Sequence, residues 1–264
     1  MEREKTEKEQ YYPGIKSVHS PALNPWIKSV FLDSRSDSII SDRGGECPEW
    51  RNTIMTIIGI DSPYRGSAQI TREQFLFYEM RATAKLMREG LQDHQVIDRI
   101  VDGNLFQYPT EKSVRQMARV CVARLKGMGD EALIEAVAGQ SSETAKQVCL
   151  YAMMKRYRLV WDFMVTVIGE KFRTRDFSFS RMDVNAFLMR LQEQDEYVAG
   201  WSEATVNKIR QVLIRILAET DYLDDIRADH INPVWLNSLL EKSIRNSHGD
   251  KALAAFNCFP QEVL

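Results

Sequence analysis

No stretch of this chain is long and apolar enough to suggest a bilayer span. A transmembrane helix needs roughly 18–20 apolar residues. The most apolar run here, LVWDFMVTVIG at 159–169, is 11 residues long and contains Asp162. The first ten residues, MEREKTEKEQ, are charged and lack the apolar segment of a secretory signal. No membrane association is expected, and the expected location is the cytoplasm. Cysteine is scarce: Cys47, Cys121, Cys149 and Cys258 are scattered and form no CxxC, a pattern of reduced thiols rather than a disulfide framework. Only four histidines occur (His19, His94, His230, His248), never as HxxxH, so no zinc or other metal site is expected.

Catalytic signatures are equally sparse. There is no GxxxxGK[ST] phosphate loop and no GxSxG nucleophile elbow. No lysine has Asp or Glu two residues before it, which removes the carboxylate-x-lysine element of many metal-dependent nucleases. NPVW at 232–235 resembles the NPPY loop of amino-methyltransferases, but it lacks the second proline and a glycine-rich cofactor loop. It reads better as the first turn of a helix entered near Pro233. The expectation is a protein with no catalytic residues and no cofactor.

What the chain does have is length, apolar content and segregated charge. Its 264 residues are 44% hydrophobic, enough for a sizeable core. The formal net charge of −2 is unevenly spread. Residues 71–127 carry 10 Lys and Arg against 7 Asp and Glu, and residues 145–190 carry 9 against 4. Residues 128–144 have four acids and no base, and residues 191–264 have 7 bases against 12 acids. Two basic stretches in a near-neutral chain point to a local anionic contact, or simply to solvated helix faces.

Residues 1–62 differ from the rest, with Pro13, Pro21, Pro25 and Pro48, the strings SRSDS and RGG, and little helical periodicity. They read as a loosely structured extension with one strand-like run, TIMTIIGI at 53–60. Met55 is also a possible alternative start. From Thr71 onward apolar residues recur at helical spacing, so the fold class is all-α. The expected helices are TREQFLFYEMRATAKLMREG, DHQVIDRIVDG, a Thr110-capped EKSVRQMARVCVARLK, DEALIEAVAG, a run from Ser141 or Ser142 to Phe172 as one helix or two, RMDVNAFLMRLQEQ, WSEATVNKIRQVLIRILAETDYL and INPVWLNSLLEKSIRN. The tail, KALAAFNCFPQEVL, has apolar residues able to dock. The helical part divides into residues 63–144 and 145–264, each with one helix-turn-helix-like outline.

Those outlines are DHQVIDRIVDGNLFQYPTEKSVRQMARVCVARL and VNAFLMRLQEQDEYVAGWSEATVNKIRQVLIRIL: a helix, a tight connection, then a longer helix bearing basic and amide side chains. In such a unit the second helix can enter a major groove. The candidate contacts are Lys112, Ser113, Arg115, Gln116 and Arg119 in the first unit. In the second they are Thr205, Asn207, Lys208 and Gln211. Arg pairs with guanine, and Asn or Gln with adenine. Any pair of packed amphipathic helices gives the same outline, so each face also reads as merely solvated. DYLDDIRADHINPVW suits a short wing, although Asp221, Asp224, Asp225 and Asp229 would repel phosphate. A third basic feature lies between the units: Lys155, Arg156 and Arg158 with Tyr157 and Trp161, then Lys171, Arg173 and Arg175 with Phe172. Cations among aromatics suit a phosphate surface. The alternative is that the aromatics are core anchors and the bases only flank them.

Residues from about Tyr64 to Leu223 resemble the BrxA family of the bacterial BREX (bacteriophage exclusion) defence systems. The matching pieces are REQFLFYEMRATAKLM, GNLFQYPTEKSVRQMARVCVARL, CLYAMMKRYRLVWDFM and WSEATVNKIRQVLIRILAETDYL. The resemblance implies a small all-helical protein with helix-turn-helix or winged-helix parts, similar also to the RNA-binding antitermination factor NusB. It implies double-stranded DNA as partner, with RNA as an alternative, and a non-enzymatic role beside other BREX proteins. A protein-interaction adaptor scaffolding larger defence proteins is the competing reading. The first 62 residues lie outside the family pattern.

Overall fold

The computed structural model describes residues 62–259. The expectations for residues 1–61, the strand-like run at 53–60 included, lie outside the described residues. Within them the chain is helical, and no strand forms. A 3-10 turn at Ser67–Thr71 leads into α1, Phe77–Met87. Then come α2 (Asp93–Asp102), α3 (Glu111–Lys126), α4 (Glu131–Gly139) and α5 (Ser142–Arg156). The run continues through α6 (Arg158–Phe163), a π turn at Met164–Ile168, and α7 (Gly169–Thr174). The last helices are α8 (Arg181–Gln194), α9 (Glu196–Ala199), α10 (Glu203–Glu219) and α11 (Ser238–Asn246), followed by a 3-10 segment at Asp250–Phe256.

Side-chain caps set most helix starts, because the first backbone N–H groups of a helix need outside acceptors. Thr110 accepts from the Ser113 N–H, Asp130 from Ala132, Ser141 from Thr144, and Ser202 from Thr205. Ser180 and Asp183 form a reciprocal box at the start of α8. Gly90 and Gly129 end segments in the left-handed region that glycine adopts without strain.

Among the described residues, α5 has more buried residues than any other helix. Ten of its residues, from Thr144 to Met154, are buried, as expected for a helix enclosed on all sides. α3 and α4 pack on it; α1 rests on α3 and α4, and α2 on α3. Buried side chains from Ile70 to Phe256 form one contiguous cluster. The tail docks as anticipated, with Ala252, Leu253, Ala255 and Phe256 buried. It lies against Gly169, where an added Cβ would stand 2.9 Å from Ala254 Cβ and 3.1 Å from its carbonyl carbon. Gly169→Ala should therefore cost about 1–3 kcal/mol through overpacking. A thermal melt lowered by less than about 2 °C would show that the tail simply gives way.

Two boundaries differ from the periodicity reading, each for a tertiary reason, and the run from Ser141 divides at Tyr157. The first helix starts at Phe77, not Thr71, because Glu73, Gln74 and Phe75 surrender their carbonyls to a buried guanidinium. Arg124, 1% exposed, donates to the carbonyls of Gln74 (2.8 Å), Phe75 (3.1 Å) and Glu73, and to Tyr157 Oη. The Tyr157 hydroxyl in turn donates to the Glu73 carboxylate. That hydroxyl's anchorage accompanies the break after α5, where Tyr157 is extended (φ −120°, ψ 108°). The last helix begins at Ser238 rather than near Pro233. The Gln147 amide donates to the Trp235 carbonyl and accepts from the Asn237 N–H, and Asn237 supplies the cap.

Candidate nucleic-acid interface

The proposed contacts fall in three places. On α3, Lys112, Ser113, Gln116 and Arg119 are exposed, whereas Arg115 is half-buried. Arg115 bridges Asp98 of α2 at 2.9 Å and Glu111 at 3.1 Å, so it fastens α2 to α3. Lys126, further along, pairs with Asp93. The acids of α2 thus consume part of the cationic character of this face. Only Lys112 and Arg119, among its described bases, have no carboxylate partner.

The stretch between the units is largely committed to the fold. Lys155 donates to the Met128 carbonyl, and Arg156 lies 4.0 Å from Glu73 and against the Tyr157 hydroxyl. Arg158 pairs with Asp162 at 2.8 Å, and that carboxylate also accepts from Tyr64 at 2.8 Å. Burial and this bond push the Tyr64 phenol up to about 12. Lys171, with a side chain only 12% exposed, bridges Asp176 and Asp183, and Arg173 pairs with Glu170 at 2.6 Å. That pairing holds the Glu170 carboxyl below its ordinary range. Arg175 is exposed in the left-handed position that closes α7. Tyr157 and Phe172 are core side chains and Trp161 is half-buried.

The second unit is arranged differently. Ser202 caps α10, and Thr205 Oγ1 is 2.9 Å from the cap hydroxyl, so Thr205 belongs to the helix start. Asn207 is half-buried; Lys208 and Gln211, one turn apart, are exposed. α8 packs against α9 and α10. The segment after α10 folds back so that Ser178 and His230 form an isolated antiparallel bridge, with Phe179 N–H donating to Asp229 and Ile231 N–H to Phe177. The acids there have local work. Asp221 pairs with Lys146, Asp224 accepts from Asn232, and Asp225 accepts from the Arg227 N–H.

Between the start of α8 and the middle of α10 runs a groove of about 440 Å³, lined by Arg181, Asn207, Arg210, Gln211, Ile214, Arg215 and Ile226. No carboxylate lines it. Sequence periodicity puts Arg210 and Arg215 on the polar face of α10 but does not single them out, and it gives no sign that Arg181 joins them. Helix-to-helix placement, invisible in a linear string, brings them together. Such a lining can receive a phosphate on its guanidiniums and offer amides to a base edge.

A model of the BrxA family matches residues 63–248. This chain belongs to the BrxA family. The match spans α3, α8, α10 and the groove. A relative from Bacillus cereus, a BREX protein BrxA, is 36% identical over 154 residues, 58% of this chain and 76% of the relative. One of the same description from Paramagnetospirillum magneticum is 25% identical over 64% of this chain and 85% of the relative. A BREX protein BrxA of Escherichia coli is 23% identical over 158 residues. A crystal structure of an uncharacterized protein from Magnetospirillum magneticum superposes with a TM-score of 0.61 at 23% identity, over 72% of this chain and 96% of that one. That likeness shows a shared fold. Among the described residues no helix is long and apolar enough to cross a membrane.

Proposed function

We propose that this BrxA-family chain is a non-enzymatic component of a BREX phage-defence system that binds double-stranded DNA through its second helical unit. α8, α9 and α10 act as a helix-turn-helix, with α10 presented to the major groove. The family and the BREX description of its relatives support the system. The observation that carries the DNA contact is electrostatic. Arg181, Arg210 and Arg215, from α8 and α10, line one groove that no carboxylate lines, while Arg158, Lys171 and Arg173 of the stretch between the units are ion-paired within the fold. Cations gathered in one groove without a carboxylate are what phosphate neutralisation requires. Lys208 reaches backbone phosphate, and Asn207 and Gln211 meet base edges.

One observation favours an adaptor role as the second reading. Met182 and Met189 stand exposed seven residues apart on α8, and Trp235 is exposed elsewhere. Exposed methionines suit a protein partner. An electrophoretic shift series with duplex DNA and structured RNA of equal length separates the readings. DNA should shift at low salt and release steeply as salt rises. A preference for RNA moves the reading to an RNA binder, and no shift with either leaves the adaptor.

A further inference from the structure

We infer that the groove between α8 and α10 is a phosphate clamp, in which Arg181 and Arg210 grip one phosphodiester of the DNA backbone and fix how α10 is presented to the bases. This rests on the DNA-binding reading above and adds to it a site and two residues that the helix periodicity does not reveal. Three observations carry it.

The first is charge. Three guanidiniums, from Arg181, Arg210 and Arg215, line a single concave groove that holds no carboxylate. Arg215 donates to Gln74 Oε1 at 3.0 Å and is partly committed by that bond. Arg181 and Arg210 have no ion-pair partner among the described residues. Guanidiniums that converge without an internal counter-charge repel one another, and an external anion relieves that repulsion.

The second is hydrogen bonding. Buried polar atoms are ordinarily satisfied, and exceptions call for a physical reason. The Arg210 Nε is buried with no hydrogen-bond partner, and so are Asn185 Oδ1 on α8 and Trp201 Nε1 just before α10. All three belong to this unit; the fourth such atom among the described residues, Arg124 Nε, lies in the core, and of the four only Arg210 lines the groove. A phosphate in the groove offers the Arg210 guanidinium acceptors.

The third is position. Asn207 and Gln211 line the same groove as Arg210. A phosphate held by Arg210 therefore sits next to the two amides best suited to adenine. Phosphate contacts of this kind set register and orientation and carry no sequence information themselves. Arg181 occupies the first turn of α8, just after the Ser180–Asp183 box that fixes that helix end. Its backbone is rigid where its side chain enters the groove.

The test is a fluorescence-anisotropy titration of duplex DNA over a salt series. It compares wild type, Arg181→Ala, Arg210→Gln, the double variant, and Lys242→Ala on α11 as the same charge change outside the groove. One lost phosphate flattens the slope of log affinity against log salt by about 0.9. The double variant should show that change, with the loss equal on random and preferred sequences; each single variant should show part of it, and Lys242→Ala none. A wild-type slope in the folded double variant overturns the clamp while the DNA reading stands. If Arg210→Gln fails to melt cooperatively, exposed Arg181→Ala decides alone, and an unchanged slope overturns the clamp. If wild type binds no DNA at low salt, the underlying reading falls and the clamp with it.

Discussion

Arg124→Ala is expected to lower the melting temperature by on the order of 10 °C. The side chain is 1% exposed and supplies donors to three consecutive carbonyls, those of Glu73, Gln74 and Phe75, which are held in a non-helical path. Truncation leaves those carbonyls without their donor. Leaving a buried acceptor without its donor costs about 1–3 kcal/mol for each group. In a protein of this size each kcal/mol shifts the midpoint by roughly 2–4 °C. Arg124→Lys should recover less than half of the loss, since an ammonium cannot fork to three acceptors. Glu73→Gln with Arg124→Met should be less damaging than the two separate losses summed, the signature of coupling through the Tyr157 hydroxyl that both side chains share. Far-UV circular dichroism melts check all three. An Arg124→Ala midpoint within about 2 °C of wild type would mean the network contributes little.

Reversing charge on α10 should weaken DNA binding on the order of 100-fold, and the same operation on α3 should not. Lys208→Glu with Gln211→Glu removes a phosphate-pairing cation and places two anions against the duplex. A good base contact is worth about 1–3 kcal/mol, and each phosphate contact adds its salt-dependent share. Lys112→Glu with Arg119→Glu alters a face on which Arg115 and Lys126 are already neutralised by Asp98 and Asp93. If that face is turned away from DNA, its charges lie beyond about 8–10 Å and are screened at physiological salt, so affinity should stay within about 5-fold. Anisotropy with melting controls reads both pairs. Equal losses from the two helices would place DNA across both units. A loss confined to α3 would reverse the assignment.

Much of this was legible in the sequence because it is local. Helix periodicity and the caps at Thr110, Ser141, Ser180 and Ser202 mark most elements from a few neighbouring residues. The misplaced boundaries are those set by distant partners. Nothing in TREQF says that Arg124, some fifty residues on, will claim its carbonyls, and nothing in NPVW says that Gln147 will hold the chain extended. The site divides in the same way. Composition and spacing identify Lys208, Asn207 and Gln211 as a polar helix face. They cannot tell that Arg115, Arg158, Lys171 and Arg173 are paired within the fold, because Asp98, Asp162, Asp183 and Glu170 are only sometimes neighbours in sequence. They also cannot show that Arg181 and Arg210 share a groove, which depends on α8 packing against α10.

The central claim is that α10 faces DNA, and photo-crosslinking tests it most directly. A photoreactive phenylalanine analogue at position 211 on α10 should crosslink to labelled duplex DNA, and the same analogue at position 116 on α3 should not. Crosslinking from position 116 with none from position 211, both proteins being folded and binding DNA, would contradict the account.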